Sequence, residues 1–502
     1  MTEHTATPEH LDVVVIGAGL SGIGAAYRLK TEHPGRSFAV LEARADLGGT
    51  WDLFRYPGVR SDSDMFTLGY PFKPWRAAKS IADGASIMEY LRETVAENGI
   101  DAHIRYGSRV LGADWSSANA HWRLTVAHEG PDGPELSTLT CGFLYTCAGY
   151  YDYERPHDPE LPGRDDFAGQ FVHPQFWPAD LDYTGKRVVV IGSGATAVTL
   201  VPNLADQAEH VTMLQRSPTW ISAVPGRDKQ ADKIRELLPP ALAHRVIRTK
   251  NILFNMGFYQ YCRRRPEAAR KLLTGLSTRI LKDAQLVAKH FTPEYDPWDQ
   301  RLCAAPDADF FKAIKKGKAT VVTDRIDTFV PEGIKLESGE VLPADIVVTA
   351  TGLRLLAFGG IAPTVDGEAV DLAKQYVWQG AMLTGLPNFA ICVGYTNASW
   401  TLRADLTSRL VCKVLSHLDR TGAVAVVPTP SGKLDERPLL DLKAGYVLRS
   451  IDQFPRQGDR GPWRVRQNYL LDSLFTMRAD LRKTLRPVRP TVSSPATGEV
   501  VR

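Results

Sequence analysis

Two stretches of this chain share one pattern: a run of β-branched residues is followed by clustered glycines and then by an alanine-rich segment. They read VVVIGAGLSG at residues 13–22 and VVVIGSGATA at residues 188–197. The apolar run predicts a buried strand, the glycines a tight turn, and the alanine-rich segment a helix. Such a strand–turn–helix is typical of the βαβ unit that binds a dinucleotide, with the pyrophosphate at the helix N-terminus. The pattern therefore predicts two such units.

The first turn places Gly17, Gly19 and Gly22 at GxGxxG spacing. Glycines let the backbone approach a pyrophosphate, and an acidic residue near the end of the next strand accepts hydrogen bonds from ribose hydroxyls. Glu42 lies 25 residues after Gly17, near the end of the strand-like segment SFAVLEA. We interpret this turn as a site for a dinucleotide with a free ribose diol. An ordinary βα turn is the alternative.

The second turn is the GxGxxA variant, formed by Gly192, Gly194 and Ala197. Here Arg216, followed by Ser217, takes the place of the acidic residue. A guanidinium is a planar fork of donors that fits a phosphate, whereas a carboxylate would repel one. The contrast favours NADPH over NADH at the second site, and a surface arginine without this role is the alternative.

Two such sites in one chain are typical of flavoproteins that pass hydride from NADPH to FAD. The predicted fold is α/β, with two Rossmann-like dinucleotide-binding domains, for FAD and for NADP, and a helical insert. The later segments DIVVTATG and NFAICVGYTN each complete one domain, so the second domain is inserted in the first. The predicted boundaries are 1–155 and 381–482 for the FAD domain, 156–220 and 301–380 for the NADP domain, 221–300 for the insert, and 483–502 for a mobile tail.

Composition excludes several other classes. With 44% hydrophobic and 23% charged residues among 502, the chain is neither disordered nor fibrous. No apolar run approaches the roughly 18 residues that span a bilayer, and the N-terminus lacks the apolar core of a signal peptide. Six cysteines without a CxxC pair predict reduced thiols in a cytoplasmic protein, and none precedes residue 141, which excludes a disulfide reductase. The net charge of +3 argues against a nucleic-acid partner.

The predicted helical insert carries an uneven charge. From Arg245 to Lys282 it holds ten lysines or arginines and one acidic residue, Glu267. Within it, the apolar run NILFNMGFYQYC precedes three consecutive arginines. Core packing with a basic rim, a substrate channel, and weak peripheral contact with an anionic membrane are three interpretations that the sequence leaves open.

Two further motifs point to a family. The segment FAGQFVHPQFWP matches the pattern FxGxxxHxxxWP through Phe167, Gly169, His173, Trp177 and Pro178. The segment GGTWDLFRYPGVRSD, residues 48–62, contributes Gly49, Thr50, Trp51 and Asp62. Both motifs resemble those of the Baeyer–Villiger monooxygenases, a branch of the class B flavoprotein monooxygenases. The resemblance extends over roughly residues 10 to 480.

The resemblance implies a reaction. In this family NADPH reduces FAD, the reduced flavin captures O2 as a C4a-peroxyflavin, and the peroxide attacks a ketone to give an ester or lactone. The implied partners are O2 and a small apolar ketone or sulfide, with thioethers and thioamides as soft nucleophiles. The alternatives are a heteroatom (N/S) flavin monooxygenase, an NADPH oxidase or quinone reductase, and a catalytically silent nucleotide-binding module. The sequence predicts neither the physiological substrate nor the oligomeric state.

The resemblance also implies catalytic residues. The catalytic arginine of the family corresponds to Arg301 in DPWDQRLC, and its partner carboxylate corresponds to Asp62. A fixed cation there would stabilise the peroxide and the alkoxide that follows. A structural ion pair is the alternative for both residues. Many relatives have lysine before this arginine, whereas this chain has Gln300, so the predicted NADPH preference rests on Arg216.

The remaining motif residues receive supporting roles. Gly49, Thr50, Trp51 and Asp62 join the predicted cofactor site by resemblance. The FxGxxxHxxxWP motif is implied to lie at the linker between domains and to couple domain motion to cofactor handling. We interpret His173 as a hydrogen-bonded structural residue rather than a base or ligand. No metal site is predicted.

Overall fold

The computed structural model describes residues 8–130 and 133–488. The first βαβ unit opens with a strand in which Val13, Val14 and Val15 are wholly buried, as its β-branched sequence predicts. The elements of this part are β1 (Glu9–Ile16), α1 (Leu20–Glu32), β2 (Phe38–Leu41), α2 (Thr50–Leu53), α3 (Met65–Leu68), α4 (Gly84–Glu97), β3 (Ile104–Arg105), β4 (Ser108–Ser116), β5 (His121–Gly130) and β6 (Gly133–Thr146).

Strand β1 lies between β2 and β6 and is parallel to both, with Val14 opposite Ala39 on one side and Leu144 on the other. Strands β4, β5 and β6 form an antiparallel meander that widens the same sheet. Because parallel strands end at the same edge, the segments after β1, β2 and β6 meet there. This edge carries the first glycine turn.

A second sheet begins at the second glycine segment. Its first elements are β7 (Gln170–Val172), β8 (Arg187–Ile191), α5 (Ala195–Leu204), β9 (His210–Gln215) and β10 (Ile221–Val224). Strands β8 and β9 are parallel, with Val190 opposite Met213. The second pattern therefore folds as the first does, into a buried strand, a glycine turn and a helix.

Four helices follow and form the insert: α6 (Lys229–Leu237), α7 (Pro240–Arg264), α8 (Pro266–Leu281) and α9 (Ala284–His290). Helices α7 and α8 each begin at a proline, at Pro240 and Pro266. Proline lacks the N–H that a helix interior needs, but a first-turn N–H has no intrahelical partner. The predicted interruptions at these prolines are confirmed.

The chain then returns to the second sheet through β11 (Cys303–Pro306), α10 (Asp309–Lys315), β12 (Ala319–Thr323), β13 (Ile326–Val330), β14 (Gly333–Leu336), β15 (Val341–Pro343) and β16 (Ile346–Thr349). The second sheet has the order β12–β9–β8–β16–β7. Strand β10 pairs in parallel with β11, with Ala223 opposite Ala305. The predicted all-helical insert of 221–300 is therefore wrong at its start, because tertiary pairing makes Ile221–Val224 a strand.

Five short strands rejoin the first sheet: β17 (Ala362–Val365), β18 (Glu368–Ala369), β19 (Val377–Trp378), β20 (Met382–Leu383) and β21 (Phe389–Ile391). Strand β17 pairs with β4, and β21 pairs with β6. The predicted boundary at 380/381 is therefore too late, since the chain has returned to the first sheet by Ala362. The boundary depends on pairing with strands some 250 residues earlier in the chain, so the local sequence does not predict it.

The last described elements are α11 (Trp400–Thr421), β22 (Ala425–Pro428), β23 (Arg437–Pro438), α12 (Gly445–Leu448), β24 (Arg456–Gln457), α13 (Tyr469–Met477), α14 (Leu481–Thr484) and β25 (Leu485–Val488). Strand β25 pairs with β22, with Val426 opposite Pro487. The first residues of the predicted mobile tail of 483–502 belong to α14 and β25, and residues 489–502 lie outside the described part. Within the described residues, no helix is long and apolar enough to cross a membrane.

The α/β fold class is confirmed, with two Rossmann-like units and a helical insert. Strand β16 carries the predicted segment DIVVTATG in the second sheet, and β21 carries NFAICVGYTN in the first. The second unit is therefore inserted in the first, as predicted.

Candidate functional site

The first glycine turn is closed too tightly for side chains. Gly17 has a φ of +96°, and a Cβ there would lie 2.9 Å from the Cys147 carbonyl oxygen. A Cβ on Gly22 would lie 1.7 Å from the carbonyl oxygen of Gly17. Gly19 is the N-cap residue of α1. Because glycine has no side chain, it leaves the first N–H groups of the helix without a side-chain acceptor. The three predicted glycines thus form a cradle whose helix N-terminus fits a pyrophosphate.

Glu42 follows β2 and lies directly beside this turn. Its carboxylate accepts hydrogen bonds from the N–H groups of Ala18 at 2.7 Å and Arg44 at 2.9 Å. Burial raises the pKa of Glu42, and the two N–H groups and the Arg44 charge oppose the increase. Each carboxylate oxygen has a further lone pair, so Glu42 fits the ribose hydroxyls of a dinucleotide on the turn.

The predicted residues Gly49, Thr50 and Trp51 lie against the same turn. A Cβ on Gly19 would be 3.7 Å from the Gly49 Cα, which shows how closely the two segments approach. The Thr50 hydroxyl is 3.2 Å from the hydroxyl of Tyr153. Trp51 is half-buried in the first turn of α2. This segment therefore forms a second wall of the first dinucleotide site.

The second glycine turn has the same backbone arrangement as the first, except that one side of it is open. Gly192 has a φ of +130°, and a Cβ there would lie 2.2 Å from the Ala350 carbonyl oxygen. Ala197, in the first turn of α5, is wholly buried. At Gly194, the N-cap of α5, a Cβ would meet no described atom within 4 Å. The helix N-terminus is therefore accessible to a phosphate group from this side.

Arg216 and Ser217 follow β9 beside this turn. Both are exposed and both line the cleft that contains the two turns. The Ser217 carbonyl accepts a hydrogen bond from the hydroxyl of Ser193, a residue of the turn, at 3.3 Å. Within the described residues, the Arg216 guanidinium has no hydrogen bond or ion pair. Its donors are therefore available to a phosphate.

One cleft of about 2240 Å³ reaches from the first glycine turn to the second. Pockets for one drug-sized ligand measure roughly 300–1,000 Å³, so this space accommodates two dinucleotides and a substrate. The YPGVRSD segment joins the two units at its wall. Gly58 has a φ of +77°, and a Cβ there would lie 2.0 Å from the Asn203 side chain on α5. Glycine at this position lets the first unit pack directly on the second.

Arg301 lines this cleft from the segment between α9 and β11. Its Nε atom is buried and has no hydrogen-bond partner among the described residues. Burial alone would lower the pKa of Arg301, but Tyr150, Tyr446, Tyr151 and Asp62 raise it, so the guanidinium stays charged. A buried donor without a partner is costly, which indicates that a ligand accepts from this nitrogen.

Asp62 lines the same cleft near Arg301. Asp62 is exposed to the cleft, but the surrounding protein desolvates its carboxyl and raises its pKa, and the charges of Arg301 and Arg60 oppose the increase. Within the described residues the two side chains form no ion pair of 4.0 Å or less. The structure therefore brings the predicted pair together electrostatically, and a simple structural salt bridge between them is not observed.

Asp299 holds the segment that carries Arg301, although it does not itself line the cleft, and the sequence analysis did not identify it. It lies two positions before Arg301 and accepts a hydrogen bond from Arg263 of α7 at 2.6 Å. Burial raises the pKa of Asp299, but hydrogen bonds from Arg263 and Lys443 outweigh this effect and lower it. Since its partners come from the insert and from the C-terminal part of the chain, no local pattern could have identified Asp299.

The FxGxxxHxxxWP motif lies where the chain passes into the second sheet. A Cβ on Gly169 would lie 2.4 Å from the Phe167 ring, which is buried. His173 accepts a hydrogen bond from the Gln175 N–H at 3.1 Å, and burial lowers the His173 pKa. Trp177, followed by Pro178, packs on the core of the second unit.

Gln175, between the motif positions, connects the two units. Its side-chain amide donates to the carbonyl oxygens of Asp152 at 2.9 Å and Tyr153 at 3.0 Å, both in the segment that leaves the first sheet. The sequence analysis did not select Gln175. The contact places the motif at the junction of the two units.

The insert contributes an apolar wall to the cleft through Phe254, Phe258, Leu272 and Leu276. Four of the ten basic residues between 245 and 282 have partners inside the protein. Arg248 is buried and donates to the Phe66 carbonyl at 2.8 Å, and the other three form ion pairs: Lys250 with Asp228, Arg263 with Asp299, and Arg270 with Asp296.

Within the described residues, all six cysteines are free and buried.

Comparisons with known proteins agree with this arrangement. A family model described as NAD(P)-binding Rossmann-like domain matches residues 15–80, and one described as flavin-binding monooxygenase-like matches residues 70–229. The chain is 52% identical over 475 residues to the FAD-containing monooxygenase EthA of Mycobacterium tuberculosis, covering 94% of this chain and 96% of that protein. It is 54% identical over 466 residues to EthA of Mycolicibacterium smegmatis, covering 92% and 94%.

Among solved structures, the chain is similar to an oxidized steroid monooxygenase bound to NADP, with a TM-score of 0.74 and 21% identity over 96% of this chain and 100% of that one. This likeness shows a common fold. Identity above 50% along nearly the whole chain shows more, and the family predicted from the two motifs is confirmed. The chain belongs to the FAD-containing monooxygenases, in the Baeyer–Villiger branch of the class B flavoprotein monooxygenases.

Proposed function

We propose that this chain binds FAD on the first glycine turn and NADPH on the second, and inserts one atom of O2 next to the carbonyl of apolar ketones to give esters. It would also oxygenate thioethers and thioamides. The observation that carries the proposal is the charged, half-buried Arg301, which lines the cleft shared by both turns and whose buried Nε has no partner among the described residues. When bound, FAD supplies the redox chemistry that takes hydride from NADPH and activates O2.

The residues of the two turns fit these cofactors. Glu42 holds the ribose hydroxyls of FAD, while the N-terminus of α1 holds the pyrophosphate. Arg216 and Ser217 hold the 2′-phosphate of NADPH, for which NADH offers only a hydroxyl. Gly194 leaves the start of α5 accessible for the second pyrophosphate. The family relationship to FAD-containing monooxygenases supports this assignment.

Arg301 supplies the fixed positive charge that the reaction needs. Negative charge develops on oxygen as it attacks a carbonyl, and a preorganised cation in a dry site stabilises it without reorganisation. Asp62 orients the guanidinium through space and adjusts how strongly it donates. In this pair Arg301 contacts the reacting oxygen, and Asp62 sets the direction in which the guanidinium donates its hydrogen bonds.

The insert supplies the binding site for an apolar substrate. Phe254, Phe258 and Leu276 give one wall of the cleft an apolar surface against which such a substrate would pack. A substrate bound there would displace water, which strengthens the electrostatic effect of Arg301 and suppresses the loss of activated oxygen as hydrogen peroxide. Of the three interpretations of the insert, this supports the substrate channel.

The junction residues couple the two units. The Gln175 amide and the FxGxxxHxxxWP motif link the second sheet to the segment that leaves the first. Movement of the NADPH-binding unit relative to the flavin would pass through this junction. His173, which has a lowered pKa and accepts a backbone N–H, serves as a neutral structural residue there.

The test is a product analysis with NADPH and 18O-labelled O2, with phenylacetone and an aryl thioether as parallel substrates. Labelled ester from the ketone is the expected result. Sulfoxide alone would identify a heteroatom monooxygenase and overturn the Baeyer–Villiger proposal. Hydrogen peroxide with neither product, or O2-independent reduction of a quinone, would identify an oxidase or a quinone reductase.

A further inference from the structure

Helix α13 buries polar side chains and exposes apolar ones. Its Asp472 and Thr476 are buried, whereas five large apolar side chains are 42–54% exposed: Leu470, Leu471, Leu474, Phe475 and Met477. A surface helix ordinarily buries its apolar face and exposes its polar face. Helix α13 does the reverse, and contiguous apolar surface of this kind marks an interaction site.

Specific contacts hold the helix in this orientation. The Tyr395 hydroxyl donates to the Asp472 carboxylate at 2.9 Å, and the Arg403 guanidinium lies 3.3 Å from the same oxygen. The Lys413 ammonium donates to the Met477 carbonyl at 2.9 Å and so closes the end of the helix. Rotating α13 to bury its leucines would leave Arg403 buried without its counter-ion. The exposed apolar face is therefore a fixed feature of the fold.

Basic residues are concentrated in and beside this helix along the chain. Between residues 464 and 486, apart from the buried Asp472, there is one acidic residue, Asp480, and there are six basic residues: Arg464, Arg466, Arg478, Arg482, Lys483 and Arg486. The Arg466 guanidinium lies 3.8 Å from the centre of the Phe475 ring. An apolar helix face with a cationic border is typical of helices that lie in the interface of a membrane.

We propose that α13 docks this protein on an anionic lipid bilayer. The five apolar side chains enter the boundary between headgroups and acyl chains, and the arginines pair with lipid phosphates. A second copy of the chain fits this face less well, because a two-fold interface would bring the same six cations against one another. The proposal does not depend on the reaction catalysed. It places membrane contact on α13 instead of the basic segment 245–282, where four cations have internal partners.

The experiment measures cosedimentation of the full-length, FAD-loaded protein with vesicles. Vesicles of phosphatidylcholine alone are compared with vesicles that also contain phosphatidylglycerol, at low and high salt. We expect binding to the anionic vesicles that weakens with salt. The double variant Leu474→Ser/Phe475→Ser should bind about tenfold more weakly, because it loses apolar insertion. The double variant Arg478→Gln/Arg482→Gln should lose its preference for anionic over neutral vesicles.

The matched control is Leu136→Ser, which removes another exposed leucine, on β6, without touching α13. Its vesicle binding should equal that of the parent. All variants change exposed side chains, and unchanged FAD content and melting temperature verify that they fold. The proposal is wrong if the parent does not bind anionic vesicles or if the apolar double variant binds equally well. It is also wrong if sedimentation velocity shows a dimer that this double variant converts to a monomer, since a second copy would then cover α13.

Discussion

Lys443 contacts Asp299 twice: its ammonium nitrogen lies 3.2 Å from the carboxylate, and its backbone N–H donates to the Asp299 carbonyl oxygen at 3.0 Å. The first contact joins two charges, and the second fixes the backbone two residues before Arg301. Together with Arg263, these contacts connect the C-terminal part of the chain and the insert to the segment that carries the proposed catalytic arginine.

We predict that Asp299→Asn releases severalfold more hydrogen peroxide per NADPH consumed than the parent, while anaerobic flavin reduction is unchanged. The lowered pKa keeps Asp299 ionised at neutral pH, and loss of its charge loosens the Arg301 segment. Asp296→Asn is the matched control, since Asp296 lies in the same segment and pairs with Arg270 of α8 alone. Equal peroxide yields from both variants would contradict the positioning role.

We predict that Arg301→Ala lowers ester formation by about a hundredfold or more, because it removes the cation that stabilises charge on oxygen. Anaerobic reduction of the flavin by NADPH should stay within about twofold of the parent rate. Arg301→Lys, which restores charge without the planar fork, should recover part of the activity. If Arg301→Ala still forms ester at the parent rate, another residue supplies the catalytic charge.

Arg216→Ala should raise the KM for NADPH by about tenfold to a hundredfold, the usual effect of losing a charge-assisted hydrogen bond to phosphate. The KM for NADH should change little, because NADH has no 2′-phosphate. Steady-state kinetics with both nucleotides measures the difference. Arg264→Ala, an exposed arginine of the insert, is the control and should affect neither value. An equal increase for NADH would exclude phosphate binding by Arg216.

Asp62→Asn should lower activity and raise the melting temperature at pH 7 by about 1 °C at most, because Asp62 is exposed to the cleft and solvent screens much of the cost of its charge. Desolvation raises the folded-state pKa of Asp62 above its unfolded value, so ionisation costs stability as pH rises through that window. As the pH falls toward the unfolded pKa the folded parent becomes protonated, and its difference from the variant should shrink. Melting curves of the FAD-loaded protein between pH 4 and 8 test this, and a variant less stable than the parent at pH 7 would contradict it.

Gly58→Ala should destabilise the junction of the two units by about 1 to 2 kcal/mol, because the positive φ disfavours alanine and the Cβ forces the Asn203 side chain away from its hydrogen bond to the Thr199 carbonyl oxygen. Gly107→Ala isolates the backbone effect, since Gly107 also has a positive φ but no described atom lies within 4 Å of its Cβ. Its cost should be about 1 kcal/mol. Adding Asn203→Ala to Gly58→Ala should recover part of the loss. Equal costs for the two glycine variants, measured by denaturant unfolding, would exclude the overlap.

Both dinucleotide-binding turns were predictable from the sequence, because each depends on residues close together in the chain. Gly17 and Gly192 have positive φ angles, and Gly22 abuts the carbonyl oxygen of Gly17. The proline-initiated helices at Pro240 and Pro266 follow from equally local rules. Steric exclusion of side chains and loss of an N–H act within a few residues, so a sequence pattern records them directly.

The tertiary structure alone decided how distant segments combine. Ile221–Val224 is a strand because β11 pairs with it, and the chain returns to the first sheet at Ala362 because β4 lies beside it. Asp299 anchors the Arg301 segment through Arg263 and Lys443, and α13 exposes its leucines because Arg403 and Tyr395 hold Asp472 inside. These outcomes depend on hydrogen bonds and charge pairs between residues far apart in the chain. Such contacts form only when the fold brings both partners together, so neither partner's local sequence contains them.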